Sequence, residues 1–197
     1  LLGESEKNVA ALFEKLKGTK AVVLIDEIDA IGMRRDGVEG SSAGQARAST
    51  LTVLLRKIEA FEGFLVGATN RQGSIDEALW RRFHLQLSVD LPGGDERYAI
   101  LKRYGAPFVF TDDDVDLLTD LTEGASPALL RGLMEGIKRA LVLGRRLGWR
   151  IDDPAEVVLR VLAGLSPPPE LPAPPLWAED DAVDRLVGMT WPPKKEG

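Results

Sequence analysis

The sequence predicts an α/β fold on a parallel sheet, followed by a small bundle of four helices. Three observations carry that prediction. Two short apolar runs, residues 21–25 and 64–68, end abruptly in polar residues, as strands buried in a parallel sheet do. A helical pattern precedes the first run and another lies between the two, so helix and strand alternate and crossover helices join parallel strands. Beyond Pro92-Gly93-Gly94 the strand signals stop and helical ones take over.

In the first helix Val9, Leu12, Phe13 and Leu16 recur at helical spacing after Ser5, a candidate N-cap, and Gly18 closes it. The strand Ala21-Val22-Val23-Leu24-Ile25 follows, buried on both faces, and opens into Asp26-Glu27. Gly32 to Gly44 is rich in glycine, serine and charge and reads as a mobile loop. The next helix carries Leu51, Leu54, Leu55 and Ile58 on its apolar face, and the second strand, Phe64 to Ala68, ends in Thr69-Asn70-Arg71. A short helix holds Ala78, Leu79 and Trp80. Leu85, Leu87 and Val89 then alternate with Gln86 and Ser88, as a half-exposed edge strand would.

The bundle opens with a helix from about Asp95 to Tyr104. Thr111 and Asp114 form a capping-box pattern at the start of the second helix. Ser126 and Pro127 open the third, which presents Leu129, Leu130, Leu133, Met134, Ile137 and Leu141 on one broad face. Asp153 and Pro154 open the fourth, before Val157, Val158, Val161 and Leu162, and Gly164 ends it. From Ser166 the chain is proline-rich and reads as a stiff extended linker, with a short amphipathic helix at 181–187. The expected division is an α/β part at 1–92, a helical part at 93–165 and a tail at 166–197.

Composition narrows the chemistry. An apolar share of 44% in 197 residues suffices for one or two packed domains. The absence of cysteine excludes disulfides and thiolate metal sites, and His84, the single histidine, cannot form a histidine metal cluster or a serine–histidine triad unaided. Carboxylates, Asn and Arg must therefore carry any reaction. The net charge of −6 argues against nonspecific nucleic-acid binding. No apolar run reaches the roughly 20 residues that span a bilayer, and the first residues lack the basic flank of a signal peptide, so a cytoplasmic location is expected.

Asp26 and Glu27 stand where ligands bind in open α/β sheets, at the carboxyl end of a parallel strand. Such a pair suits nucleotide hydrolysis: the Asp helps to hold Mg²⁺ and the Glu polarises the attacking water. The same two carboxylates would also serve simply to cap the next turn.

Several motifs in order resemble the AAA+ ATPases, in the AAA clade of proteasomal, katanin-like and membrane-protease unfoldases. The likeness runs from Leu1 to about Leu143. Gly3-Glu4-Ser5-Glu6-Lys7-Asn8-Val9 resembles the helix after the first pore loop, and Val23-Leu24-Ile25-Asp26-Glu27-Ile28-Asp29-Ala30-Ile31 resembles a Walker B strand. Gly67-Ala68-Thr69-Asn70-Arg71 is similar to a sensor 1 strand end, and Ile75-Asp76-Glu77-Ala78-Leu79-Trp80-Arg81-Arg82-Phe83 to the end of the second region of homology. Ordered motifs at family spacing are far more specific than any one alone.

The resemblance implies the C-terminal part of a P-loop ATPase core with a four-helix lid, ATP and Mg²⁺ as cofactors, and a homo-oligomeric ring, expected to be a hexamer. It implies that Asp26 holds Mg²⁺, that Glu27 activates water, that Asn70 fixes that water and senses the γ-phosphate, and that Arg81 and Arg82 act on a neighbour's nucleotide. Without the family, Asn70 is an ordinary turn residue and the arginines a solvated helix end. Gly124 and Ala125, within Thr122-Glu123-Gly124-Ala125-Ser126-Pro127-Ala128, resemble the lid contact to adenine and ribose, and equally read as a helix start with small residues. Arg131, one turn on, reads as a surface residue.

The chain also departs from the family. It contains no Gly-x-x-x-x-Gly-Lys-Thr phosphate loop, so the resemblance implies an upstream segment that supplies it, together with two further strands, and a fragment without ATPase activity of its own. Lacking those strands, the sheet would expose an apolar cleft. Leu1-Leu2-Gly3 falls at the first pore loop with aliphatic residues in place of an aromatic grip, and Arg34 to Gln45 is a candidate second pore-facing element. His84 stands where acids are common and reads as a surface residue. A motor that remodels or unfolds protein substrates is the leading function. A nucleotide-dependent switch or scaffold is the alternative, and DNA-acting relatives fit the acidic balance less well. Trp177 and Trp191 flank Glu179-Asp180-Asp181, so the tail reads as a partner-docking segment or as one packed on the lid; removing 170–197 is expected to spare ATP turnover and impair partner recruitment.

Overall fold

The computed structural model describes residues 4–32 and 42–195. Leu1-Leu2-Gly3 and residues 34–41 of the second pore-loop candidate lie outside them. The chain forms two compact units, Leu1–Ser88 and Val89–Gly197.

The first unit is an α/β layer. Strands β1 (Val22–Ile25) and β2 (Phe64–Gly67) pair in parallel, with Val22 opposite Phe64 and Ile25 opposite Gly67. Helices α1 (Glu4–Leu16) and α3 (Ser42–Glu59) pack together, and α2 (Asp29–Gly32) and α4 (Glu77–Trp80) complete the unit. Its core is Phe13, Ile28, Leu51, Leu54, Ile75 and Leu79, with Ile25 and Leu65 from the strands against it. Phe13 meets Phe61 edge to face at 5.5 Å. Gly18 has φ +72°, a conformation that costs glycine little, and ends α1 as expected. Ser5 lies within α1 rather than capping it, and Leu12 is 47% exposed because the helix turns Phe13, not Leu12, to the core.

Two expectations about the sheet are corrected. The strands are not buried on both faces. Val23, Ile25 and Leu65 turn inward, but Val22 (67%), Leu24 (63%), Phe64 (69%) and Val66 (39%) share an exposed face, because no second layer covers it among the described residues. Residues 85–89 are not a strand either. Their alternation has the right period, but a strand needs a ladder, and none forms there among the described residues. Leu85, Leu87 and Val89 are exposed.

The second unit contains the four expected helices, α5 (Gly94–Gly105), α6 (Asp112–Leu121), α7 (Pro127–Leu143) and α8 (Pro154–Leu162). Their starts follow the sequence: Thr111 and Asp114 cap α6 reciprocally, Ser126 accepts from Leu129 N, and Asp153 accepts from Ala155 N. All six apolar residues assigned to the face of α7 are buried.

Residues 166–174 form no helix or strand, and beyond them the chain packs on the bundle, which decides the two readings of the tail in favour of packing on the lid. Leu176 in α9 (Pro175–Ala178), Ala182, Leu186 and Met189 are buried in the same core as α5–α8. Trp177 Nε1 donates to Leu165 O and Trp191 Nε1 to Ile151 O, each at 2.7 Å, and Thr190 N donates to Asp114 Oδ1 at 2.9 Å. Strand β4 (Lys194–Lys195) pairs antiparallel with β3 (Phe108–Val109). The helix expected at 181–187 is a 3₁₀ turn at Asp184–Gly188. Prolines disfavoured a regular helix here without preventing burial, because the apolar side chains and indole N–H groups find partners on the bundle.

Candidate functional site

In-register pairing of β1 and β2 brings their carboxyl ends side by side. Asp26 and Glu27 follow Ile25 directly, and Asn70 lies three residues beyond its partner Gly67. All three are exposed, so the polar groups of both strand ends face solvent at one edge of the sheet. Backbone bonds seal the two ends: Ala68 N donates to Ile25 O at 2.9 Å, and Ile28 N to Ala68 O at 3.0 Å. One side-chain bond is added, from Thr69 Oγ1 to Asp29 Oδ1 at 2.6 Å.

Glu27 has φ +50°, the single non-glycine residue with positive φ among the described residues. A side chain there meets the following carbonyl, which costs about 1–2 kcal/mol. Asp26 Oδ1 accepts from Glu27 N at 2.9 Å, Ala30 N donates to Glu27 O at 2.8 Å, and the buried Ile28 pins the next position. The chain thus holds Glu27 in a costly conformation at a strand end, the kind of place where strain accompanies function. It follows that Glu27→Gly is more stable than Glu27→Ala by about 1 kcal/mol. Denaturant unfolding of the two variants measures this, and equal midpoints would show that the position carries no strain.

Arg81 and Arg82 leave the end of α4, whose geometry is fixed from two sides. Asp76 caps the helix by accepting from Ala78 N at 2.9 Å, and Asp76 N donates to Gly32 O at 2.6 Å. Gly32 sits so close to the fully buried Leu79 that a Cβ there would lie 2.2 Å from Leu79 Cδ2. Phe83 in turn approaches Gly67, where a Cβ would lie 2.9 Å from its ring. Both arginines are therefore anchored to the unit that carries Asp26, Glu27 and Asn70. Their guanidinium groups are exposed; Arg81 pairs with Glu77 and Arg82 with Glu59 at 3.6 Å. Neither pairing is signalled by the sequence, where acids on solvated helices are too common to mark a partner.

Gly124 and Ala125 belong to the second unit. Gly124 has φ +77° and is half-buried, whereas Ala125 is buried in the core there. Arg131 is exposed, ion-paired to Glu135 and stacked on Tyr104, as a surface residue would be. His84 is exposed.

No group of three or more His, Asp or Glu that would hold a metal forms among the described residues. Asp26, an exposed carboxylate at the strand end, is a hard oxygen donor of the kind that Mg²⁺ takes. No helix of the described residues is long and apolar enough to cross a membrane.

Comparison with known proteins identifies the family and the fold. Residues 1–91 match the family model described as ATPase family associated with various cellular activities (AAA). An ATP-dependent zinc metalloprotease FtsH of Lachnoclostridium phytofermentans is 40% identical over 141 residues, 68% of this chain and 24% of that protein. The chloroplastic ATP-dependent zinc metalloprotease FTSH 2 of Oryza sativa subsp. japonica is 35% identical over 178 residues, 83% of this chain and 25% of that protein. A proteasome-activating nucleotidase of Methanopyrus kandleri is 35% identical over 171 residues, 82% of this chain and 38% of that protein. The chain thus spans about a quarter of the length of the FtsH relatives. The crystal structure of the FIGL-1 AAA domain in complex with ADP superposes with a TM-score of 0.63 at 24% identity, over 93% of this chain and 62% of that one, a likeness of fold.

Proposed function

Residues 1–91 of this chain belong to the AAA family of ATPases, and from that premise we propose that the chain is the hydrolytic half and lid of an ATP-binding, ATP-hydrolysing AAA+ module that works as a hexameric ring and remodels or unfolds protein substrates. The observation that carries this reading is the exposure of Asp26, Glu27 and Asn70 together at the carboxyl ends of two paired parallel strands.

Asp26 is the residue that would hold Mg²⁺, which when bound neutralises charge on phosphate oxygens. Glu27 takes a proton from the attacking water, and Asn70 orients that water from the neighbouring strand. Arg81 and Arg82 present delocalised cations to the nucleotide of the adjacent subunit, leaving their carboxylate partners Glu77 and Glu59 to do so. In the second unit, Gly124, with open space on its backbone, and Ala125, buried in that unit's core, are the residues proposed for adenine and ribose. The exposed apolar face of β1 and β2 is suited to burial under a further packed layer in the assembled module.

Mixed rings test the shared site. In full-length protein as encoded, Arg82→Ala is expected to lower turnover about a hundredfold, less than the roughly 10³- to 10⁵-fold worth of a sole arginine supplied in trans, because Arg81 remains beside it. Mixing Arg82→Ala subunits with Glu27→Gln subunits should restore part of the activity, because some interfaces then pair an intact Glu27 with an intact Arg82. No recovery in rings shown to be mixed would contradict action between subunits. Rings that bind ATP without turnover would favour the switch or scaffold reading.

A further inference from the structure

We propose that Thr69 and Asp29 form a positioning latch that fixes Asn70 against Glu27 for the hydrolytic step. The inference rests on the ATPase reading of those two residues. Its physical basis is the use made of one hydroxyl. Thr69 Oγ1 donates to Asp29 Oδ1 at 2.6 Å, across the two strand ends, and accepts from Arg71 N at 2.9 Å, closing a turn around Asn70. Donor and acceptor are thus both engaged: one bond sets the backbone turn that carries Asn70, and the other ties that turn to the loop that carries Glu27.

The two backbone bonds between these strand ends fix the chain at Ile25, Ile28 and Ala68, short of Asn70. Beyond them, Asn70 is an exposed residue at the end of a two-stranded sheet. The Thr69–Asp29 bond carries the constraint past the sheet, from the residue before Asn70 to the residue two beyond Glu27. Asp29 is half-buried and the contact is charge-assisted, which makes it short and directional. Asp29 needs no contact with nucleotide to act this way.

The test compares Thr69→Val, Thr69→Ser, Asp29→Ala and Asp29→Asn in full-length protein, with Glu27→Gln in parallel. Valine keeps the shape and removes the hydroxyl, so kcat should fall roughly 10- to 100-fold, the cost of a misplacement on the order of an ångström. ATP affinity and the melting midpoint should stay near those of the parent. Serine and asparagine keep the bond and should recover most of the loss. Thr69→Val combined with Asp29→Ala should be no slower than the worse single variant, since both remove one interaction. Parental kcat in Thr69→Val, an equal loss in Thr69→Ser, or a loss of kcat that tracks a loss of fold would overturn the latch while Glu27→Gln stays inactive. Turnover that survives Glu27→Gln would instead overturn the hydrolytic reading, and the latch with it.

Discussion

Deletion of residues 170–197 is expected to abolish the cooperative unfolding of the helical unit rather than trim a free tail. Leu176, Ala182, Leu186 and Met189 are buried in the core shared with α5–α8, and Leu186 and Ala182 have no exposed surface. Losing one such leucine or methionine side chain typically costs about 2–5 kcal/mol. A whole domain is stable by only about 5–15 kcal/mol, so losing several together exceeds what the unit can absorb. The deletion also strips the indole donors from Leu165 O and Ile151 O and the Thr190 N donor from the buried Asp114. Far-ultraviolet circular dichroism on heating, with hydrogen exchange at α6 and α7, measures this. A melting midpoint within a few degrees of the parent, with α7 still protected, would show that the tail is dispensable. The expectation from sequence, that this deletion spares ATP turnover and affects partners alone, is therefore replaced: loss of the lid should take turnover with it.

Glu27→Gln should have the largest effect on activity. The amide keeps the size and the strained backbone of Glu27 but cannot take a proton, and a lost general base costs about 10²- to 10⁴-fold. Nucleotide affinity should be retained, because the substitution leaves Asp26 and the strand ends unchanged. Single-turnover hydrolysis together with equilibrium binding separates the two effects. A variant that hydrolyses at the parental rate would assign the proton transfer elsewhere; one that fails to bind would make Glu27 part of the binding surface.

The helices were legible where local chemistry decides them. Thr111 with Asp114, Ser126 with Pro127, and Asp153 with Pro154 each place a cap and a start within a few residues, and the apolar face of α7 follows from its period alone. The strand ends at Asp26 and Asn70 were equally legible, because an apolar run that stops at a polar group marks the position. Partnering was not legible. The alternation at Leu85, Leu87 and Val89 describes a side-chain pattern, whereas a strand requires a neighbour to pair with. The tail was legible in part: tryptophans beside prolines signal packing on the lid or docking to a partner, whereas the partners that Leu176, Leu186 and Trp191 find lie far away in sequence on the bundle. The Thr69–Asp29 bond joins residues 40 apart, and neither residue stands out in its own segment.

The central claim is that Asp26, Glu27 and Asn70 form a working hydrolytic edge in an assembled ring. It is tested most directly by steady-state ATP turnover of the full-length protein against its concentration, with mass followed by light scattering on the same samples. Turnover per subunit that rises cooperatively as rings form is the predicted result. Turnover per subunit that is negligible in fully formed, nucleotide-bound rings, or that is unchanged between monomer and ring, would contradict it.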